Sequence, residues 1–472
     1  MSEKLLFFSK KLNIPAKASL WYTLTALLER GSSVIFTPLY TRLLLPSEYG
    51  IYPLYIGFVS IFSVFVTLEI SGSVIYKGLC EFKEKEKFIS ASLGLIAFSS
   101  LAFASLYFIF SFVFGNPIPL SRELCAVLFL QIFLNGARAV KLSEKRYCYK
   151  YGLSIIEGIV FSVGMPILSV AIIYFWNNPA TSRIYAQLLL SLLFTLPIIL
   201  FSLLRGRGRI FDRRVWGFLL KYTLPALPHY AAMAFILQSG KIFAERYFTS
   251  DAVGMLSLAI SVGFIPSLLT VGAQAALIPW INRKLSEGGI GRKKIYTLVS
   301  SALTPLAALT LIFVCFCPEI LRIMAPEEYL GALPAIYPIS IAVILCFINN
   351  IFSSIIAYYK KTYFITLGSG CGALLIFLIN ILFTKRLGFV FSAIALLPAY
   401  LVIFLVFSLL LKKRFCHSEL PFLRILLCFS CFFLFSALAY TLAHSLAARL
   451  LLASAVFLFL LPRAKKTAAF AL

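Results

Sequence analysis

Arg30 and Lys241 lie inside long apolar stretches of the chain. Arg30 is about twelve residues into its stretch, roughly 18 Å at 1.5 Å per residue. A guanidinium at that depth of a bilayer costs ~2.5 kcal/mol or more unless it faces water or a partner. Thr23, Ala26, Arg30, Ser33, Thr37 and Tyr40 recur at spacings of three and four, so they form one partly polar helix face. That face suits a cation aimed at a bound anion in a hydrated cavity. It also suits a structural pair with Glu69 or another carboxylate. Lys241 shares a face with Gln238 and Glu245. It either meets an external anion or is neutralised by Glu245 one turn away. Arg42 and Arg246 stand at the ends of apolar runs, where they receive an anion or reach out to the interface. Glu29 and Glu69 are carboxylates within apolar runs. They are candidates to exchange a proton or bind a sodium ion, or to balance Arg30. Gln131, Asn135, His229, Gln274, Asn349, Asn350 and Asn380 offer neutral hydrogen bonds to a polar passenger or to neighbouring helices. Asn349 and Asn350 are adjacent, and two adjacent amides cannot both face lipid cheaply.

Several chemistries are excluded. The ten cysteines show no metal-ligand spacing, and no metal or other cofactor is expected. No G-x-x-x-x-G-K-[ST] segment exists for ATP hydrolysis. An enzyme acting at the outer surface needs a sizeable catalytic loop. The longest outer connection runs only over 318–330, with Glu319, Glu327 and Glu328. The chain is therefore expected not to be an enzyme.

The elements that must position these groups are helices in a membrane. Of the 472 residues 61% are hydrophobic and 13% charged, with a mean hydropathy of +0.95, outside the range of soluble globular proteins. Fourteen apolar runs are long enough to span, including 18–43, 51–76, 153–176, 216–247 and 252–282. Period-2 alternation is absent, which leaves helices as the spanning form. With the N-terminus inside and the sides alternating, inner segments hold 31 Lys and Arg and outer segments hold eight. That bias places both termini in the cytoplasm. Trp21, Trp176, Trp216 and Trp280 fall at run ends, where amphipathic rings prefer the headgroup region. The net charge of +25 is then explained by basic inner loops against anionic lipid, with no nucleic-acid partner.

The chain also repeats itself. Arg42 and Gly50 in TRLLLPSEYG recur at an offset of 204 residues as Arg246 and Gly254 in ERYFTSDAVG, and the acid Glu48 has Asp251 one position short of its matching place. Runs one to six and seven to twelve form two parallel repeats about an axis along the membrane normal. The expected organisation is an N-terminal six-helix bundle (1–204), a basic cytoplasmic linker (205–215), a second six-helix bundle (216–411) and two added helices with a cytoplasmic tail (412–472). Pro38, Pro225 and Pro228 fall inside runs one and seven, as kinks that line a cavity or are absorbed by neighbouring helices.

Three segments carry a family resemblance. GSSVIFTPLYTRLLLPSEYGIYPLYIGFVSIF (31–62), LLKYTLPALPHYAAMAF (219–235) and PEEYLGALPAIYPISIAV (326–343) resemble the polysaccharide-biosynthesis flippases, the Wzx-type O-antigen translocases. That family shares a superfamily with multidrug exporters and lipid II flippases. The resemblance implies a flippase of the bacterial cytoplasmic membrane. It would carry an undecaprenyl-pyrophosphate-linked oligosaccharide across by alternating access, beside membrane lipids, a polysaccharide polymerase and other assembly proteins. A doubly charged head and a bulky glycan cannot cross about 30 Å of hydrocarbon unaided. Arg30, Lys241, Arg42, Arg246, Asn349 and Asn350 are then the substrate-binding candidates, and Glu69 and Glu29 the ion-coupling ones. The family often has an acidic–basic pair in run seven; here Gly240–Lys241 keeps only the base. A multidrug cation antiporter and a lipid II flippase are the alternatives, and a basic rather than acidic cavity separates the first from the flippase reading.

Overall fold

The computed structural model describes residues 14–149, 151–175, 179–415, 417 and 422–457. Trp176 lies outside them. The described residues are helical, joined by short turns. Among the described residues, nine helical segments are long and apolar enough to cross a membrane, and three shorter apolar helices accompany them. Ile14–Leu43 is 30 residues long, but Glu29, Arg30 and its hydroxyl residues dilute its apolar character. The all-helical membrane architecture thus stands, while the number of fourteen remains a sequence count.

Packing groups the chain into two units. The first takes the chain up to Phe36 and Ile51–Ala234. Its elements are the early part of α1 (Ile14–Leu43), most of α2 (Pro46–Thr67), α3 (Ser73–Glu81), α4 (Lys85–Phe114), α5 (Arg122–Tyr147), α6 (Tyr151–Ile159), α7 (Met165–Phe175), α8 (Ser182–Arg205) and α9 (Arg213–Thr223). A core of Ile70, Ile75, Leu79, Phe88, Leu93, Leu134, Ile199 and Leu219 joins five of them, α3, α4, α5, α8 and α9. Trp216 donates its indole N–H to the Ala91 carbonyl at 2.9 Å, which fixes α9 against α4.

The second unit takes Thr37–Gly50 and the chain from Phe235 onward. It holds the later part of α10 (Leu227–Tyr247), then α11 (Ser250–Gly263), α12 (Ser267–Leu285), α13 (Gly288–Cys315), α14 (Cys317–Met324), α15 (Leu333–Tyr358), α16 (Tyr363–Ile379), α17 (Leu396–Arg414), α18 (Phe422–Thr441) and α19 (Leu446–Phe457). α15 is its centre, with 78% of its most apolar window buried. Contact units and sequence repeats divide the chain differently, since one reflects packing and the other internal similarity.

Several expected runs are not single helices. Run two stops at Thr67, where Leu68 and Glu69 take φ of 53° and 49°, and resumes as α3. Run eight breaks at Phe264–Pro266 between α11 and α12. Run seven is divided by a 3-10 turn at Leu224–Ala226, where Pro225 removes a backbone donor. Pro38, by contrast, is carried inside an unbroken α1. Run five contains a π-helical turn at Val160–Gly164, and run eleven has another at Asn380–Thr384. The same-numbered helix of each sequence repeat therefore carries the same irregularity, a kind that recurs at functional sites.

The repeated turns meet within the second unit. A Cβ on Gly50 would lie 2.4 Å from the Ser250 carbonyl oxygen, and one on Gly254 would lie 2.0 Å from that of Pro46. Both conserve glycine in the duplicated motif because only backbone fits between them. Thr41 donates to the Met324 carbonyl at 2.6 Å and Tyr329 to that of Leu44 at 2.8 Å, which secures the end of α1 beside this contact. Gly254→Val is expected to cost about 1–3 kcal/mol by overpacking. Thermal unfolding of the purified protein measures it, and a comparable change at Gly217, where an added Cβ meets nothing within 4 Å, should cost less.

Candidate functional site

The expected site residues divide between the two units. Arg30 lies within α1, and its side chain is outside the described residues. Glu29 is exposed; a Cβ on Gly158 would sit 3.4 Å from its Oε1, so its carboxylate rests against α6. Glu69 is half-buried in the break after α2. Irregular backbone at membrane depth is tolerated where it is buried in protein or lines water. Neither carboxylate has an ion-pair partner among the described residues. Glu157, by contrast, is buried and paired with Lys145 at 2.6 Å.

Lys241 is the clearest group in the second unit. It is buried, 8% exposed, in α10. Its Nζ donates to Gln238 Oε1 at 2.9 Å, the i−3 contact that helical spacing led us to expect. Glu245 does not neutralise it: the Glu245 carboxylate accepts from the Ser250 hydroxyl, with both oxygens at 3.3 Å. No carboxylate lies within ion-pair distance of Lys241 among the described residues. Gly240, where an acid is missing, faces Ser392, with Cβ-to-Oγ spacing of 3.3 Å. It borders a small pocket lined by Ile236, Leu237, Leu256, Ile260 and Leu396. Among the described residues, the second unit therefore buries an ammonium whose polar partner is one neutral amide. Such a cation is costly unless a counter-charge arrives from outside.

The other candidates are placed differently. Arg42 and Arg246 are both exposed at the ends of α1 and α10; Arg42 reaches the Ile323 carbonyl at 3.4 Å. Asn349 is buried and donates to the Tyr400 carbonyl at 2.9 Å, an interhelical bond between α15 and α17. That bond gives it a structural use. Asn350 is half-buried, with its amide 3.8 Å from Cys346 Sγ. Asn380 is buried in the π-helical turn, bonded to Thr384 at 2.9 Å and to Ser239 at 3.5 Å.

Polar groups cluster in the first unit, where Gln131 and Asn135, both singled out in the sequence, meet Tyr52, Gln187 and Ser191, which were not. Gln131 Nε2 donates to Asn135 Oδ1 at 2.9 Å and lies 2.8 Å from Ser191 Oγ. Tyr52 donates its hydroxyl to Gln187 Oε1 at 2.9 Å, and the Arg183 guanidinium stands 4.0 Å over the Tyr52 ring. The signal was present in α8, where Arg183, Gln187, Ser191 and Thr195 recur every four residues. It is easily missed because three of the four are uncharged.

Comparison with known proteins fits this picture. A family described as polysaccharide biosynthesis protein matches residues 16–284, more than half of the chain. The chain belongs to that family. An uncharacterized membrane protein of Haemophilus influenzae is 20% identical over 310 residues, covering 63% of this chain and 70% of that protein. Among solved structures, the lipid II flippase MurJ in an inward closed conformation is similar with a TM-score of 0.69 and 14% identity. That match covers 94% of this chain and 97% of MurJ. The inward-facing form of a multidrug resistance MATE transporter of the MOP superfamily gives 0.63 at 14% identity, covering 84% and 95%. At these identities the structures speak for the fold. The protein is a multi-pass membrane protein of the polysaccharide biosynthesis family, with the fold that the lipid II flippase and the multidrug transporter share.

Proposed function

We propose that the protein flips an undecaprenyl-pyrophosphate-linked oligosaccharide, an O-antigen or other surface-polysaccharide unit, from the inner to the outer leaflet of the bacterial cytoplasmic membrane. The observation that carries this reading is Lys241, a buried cation whose partner among the described residues is a single amide. An anionic head supplies the counter-charge that the described residues do not. Arg30 is its proposed counterpart in α1, and the exposed Arg42 and Arg246 are proposed to meet the head on its release. The sequence repeats 1–204 and 216–411 rock about the passenger, while its polyprenyl tail stays in lipid and both termini stay in the cytoplasm. Glu69 and Glu29 are proposed to couple a proton or sodium ion, supported by their lack of an ion-pair partner among the described residues. A polysaccharide polymerase and other assembly proteins are the partners that would receive the product.

Deleting the protein from its host tests this reading. The lipid-linked precursor should accumulate on the inner leaflet and surface polysaccharide should fall. Drug hypersensitivity with normal polysaccharide would instead favour the multidrug antiporter, and accumulation of lipid II would favour that flippase.

A further inference from the structure

The polar face of α8 has no counterpart in the matching helix of the second unit. Arg183, Gln187, Ser191 and Thr195 share one side of α8. The opposite side carries Leu189, Leu193, Leu196, Leu200 and Leu204, all exposed, as side chains facing acyl chains are. In α17 the apolar stretch from Leu396 to Leu411 holds only Tyr400 and Ser408 as polar-bearing side chains, and no amide. The fold therefore does not require amides in its sixth helix, since one copy does without them. Within the first unit the polar face continues onto neighbouring helices, through Gln187 to Tyr52 and through Ser191 to Gln131 and Asn135. Gln131 is fully buried, yet its Oε1 has no hydrogen-bond partner among the described residues. Asn135, Gln187 and Tyr52 are only half-buried. Half-exposed amides at this depth are costly against hydrocarbon, which favours their opening onto water.

We propose that this face is a carbohydrate subsite, in which the half-buried Gln187 and Asn135 bond the hydroxyl groups of the passenger glycan, the buried Gln131 holds Asn135 in place, and Tyr52 offers its ring edge. Amides suit the task because each presents donors and an acceptor, as vicinal sugar hydroxyls do. The cations that hold the anionic head are separate groups, so the sugar and the head are recognised independently. This inference rests on the flippase reading.

The test uses the full-length protein in lipid nanodiscs. Two probes are compared: undecaprenyl pyrophosphate without sugar, and the same lipid carrying the producing cell's own repeat unit. The near-isosteric double variant Gln131→Met, Gln187→Met should bind the sugar-free lipid as wild type does, which also reports that it folds. It should bind the glycan-bearing lipid about tenfold more weakly, as expected when the Gln187 bond is lost and Asn135 is no longer held by Gln131. Unchanged binding of the glycan-bearing lipid overturns the proposal. If the double variant loses both lipids, Gln187→Met alone is measured in its place. Selective loss of the glycan-bearing lipid then supports the subsite, and equal loss or no loss overturns it. Wild-type protein that binds neither lipid would overturn the flippase reading itself.

Discussion

Lys241→Met is expected to abolish translocation while leaving the protein as stable as wild type or more so. Methionine keeps the length of the side chain and removes the charge. The ammonium is buried beside one amide, with no carboxylate among the described residues to repay its desolvation. Replacing a poorly compensated buried charge by an apolar group of similar volume is neutral or stabilising by about 1–4 kcal/mol. Losing its bond to an anionic head, by contrast, removes about 1.5–3 kcal/mol, or about 10–100-fold in affinity. Stability and transport therefore move in opposite directions, which a purely structural lysine cannot produce. Thermal unfolding in detergent and surface polysaccharide in a complemented deletion strain measure the two. Normal polysaccharide from Lys241→Met would remove this residue from the mechanism.

The second large effect concerns the added C-terminal helices. Arg449 of α19 is 3% exposed and grips Glu319 of α14 through both terminal nitrogens at 2.6 Å, with a further bond to the Cys315 carbonyl at 2.6 Å. The Glu319 side chain is still 32% exposed. The two partners should thus be unequal. Glu319→Ala leaves a guanidinium buried without a counter-charge and is expected to cost about 3–5 kcal/mol. Arg449→Met leaves a carboxylate that water can reach, and is expected to cost about 1–2 kcal/mol, near the range of exposed pairs. The double variant should be more stable than Glu319→Ala alone. Limited proteolysis of α18 and α19, together with thermal unfolding, checks the order; equal costs would show that burial does not set it. The Arg449 guanidinium holds the Glu319 carboxyl below its ordinary value. A lowered carboxylate stabilises the fold fully above the unfolded value of about 4.3 and ceases to do so as pH falls through its folded value. The difference between Arg449→Met and wild type should therefore persist at neutral pH and shrink only in acid.

The membrane class, the helical form and the family were legible because each is written in many residues at once. Hydropathy, basic-loop bias and three family-like segments all point the same way, and errors in single positions do not matter. The breaks were less legible. Pro225 announces the turn that divides run seven, but nothing in the types of Leu68 and Glu69 announces left-handed backbone. Tertiary packing imposes it, and local propensity does not. Pro38 shows the converse, a proline carried within an unbroken helix. At the site, i−3 spacing anticipated the Lys241–Gln238 contact, yet the same spacing rule offered Glu245, which bonds Ser250 instead. Helical periodicity says which residues share a face; it does not say which of two neighbours a flexible side chain will choose. Asn349 was read as a substrate-binding candidate; its amide N–H ties α15 to α17, a contact between distant helices that the sequence does not announce.

Transport of the lipid by the purified protein tests the central claim most directly. Wild-type protein and Lys241→Met are reconstituted into liposomes containing undecaprenyl pyrophosphate that bears the host's repeat unit. The sugar reaching the outer leaflet is followed with a membrane-impermeant periodate reagent, with a lipophilic organic cation assayed in parallel. The account predicts lipid movement by wild type well above that of empty liposomes, none above it by the variant, and no uptake of the organic cation. Lipid movement no faster than in empty liposomes, or equally fast with the variant, would contradict it.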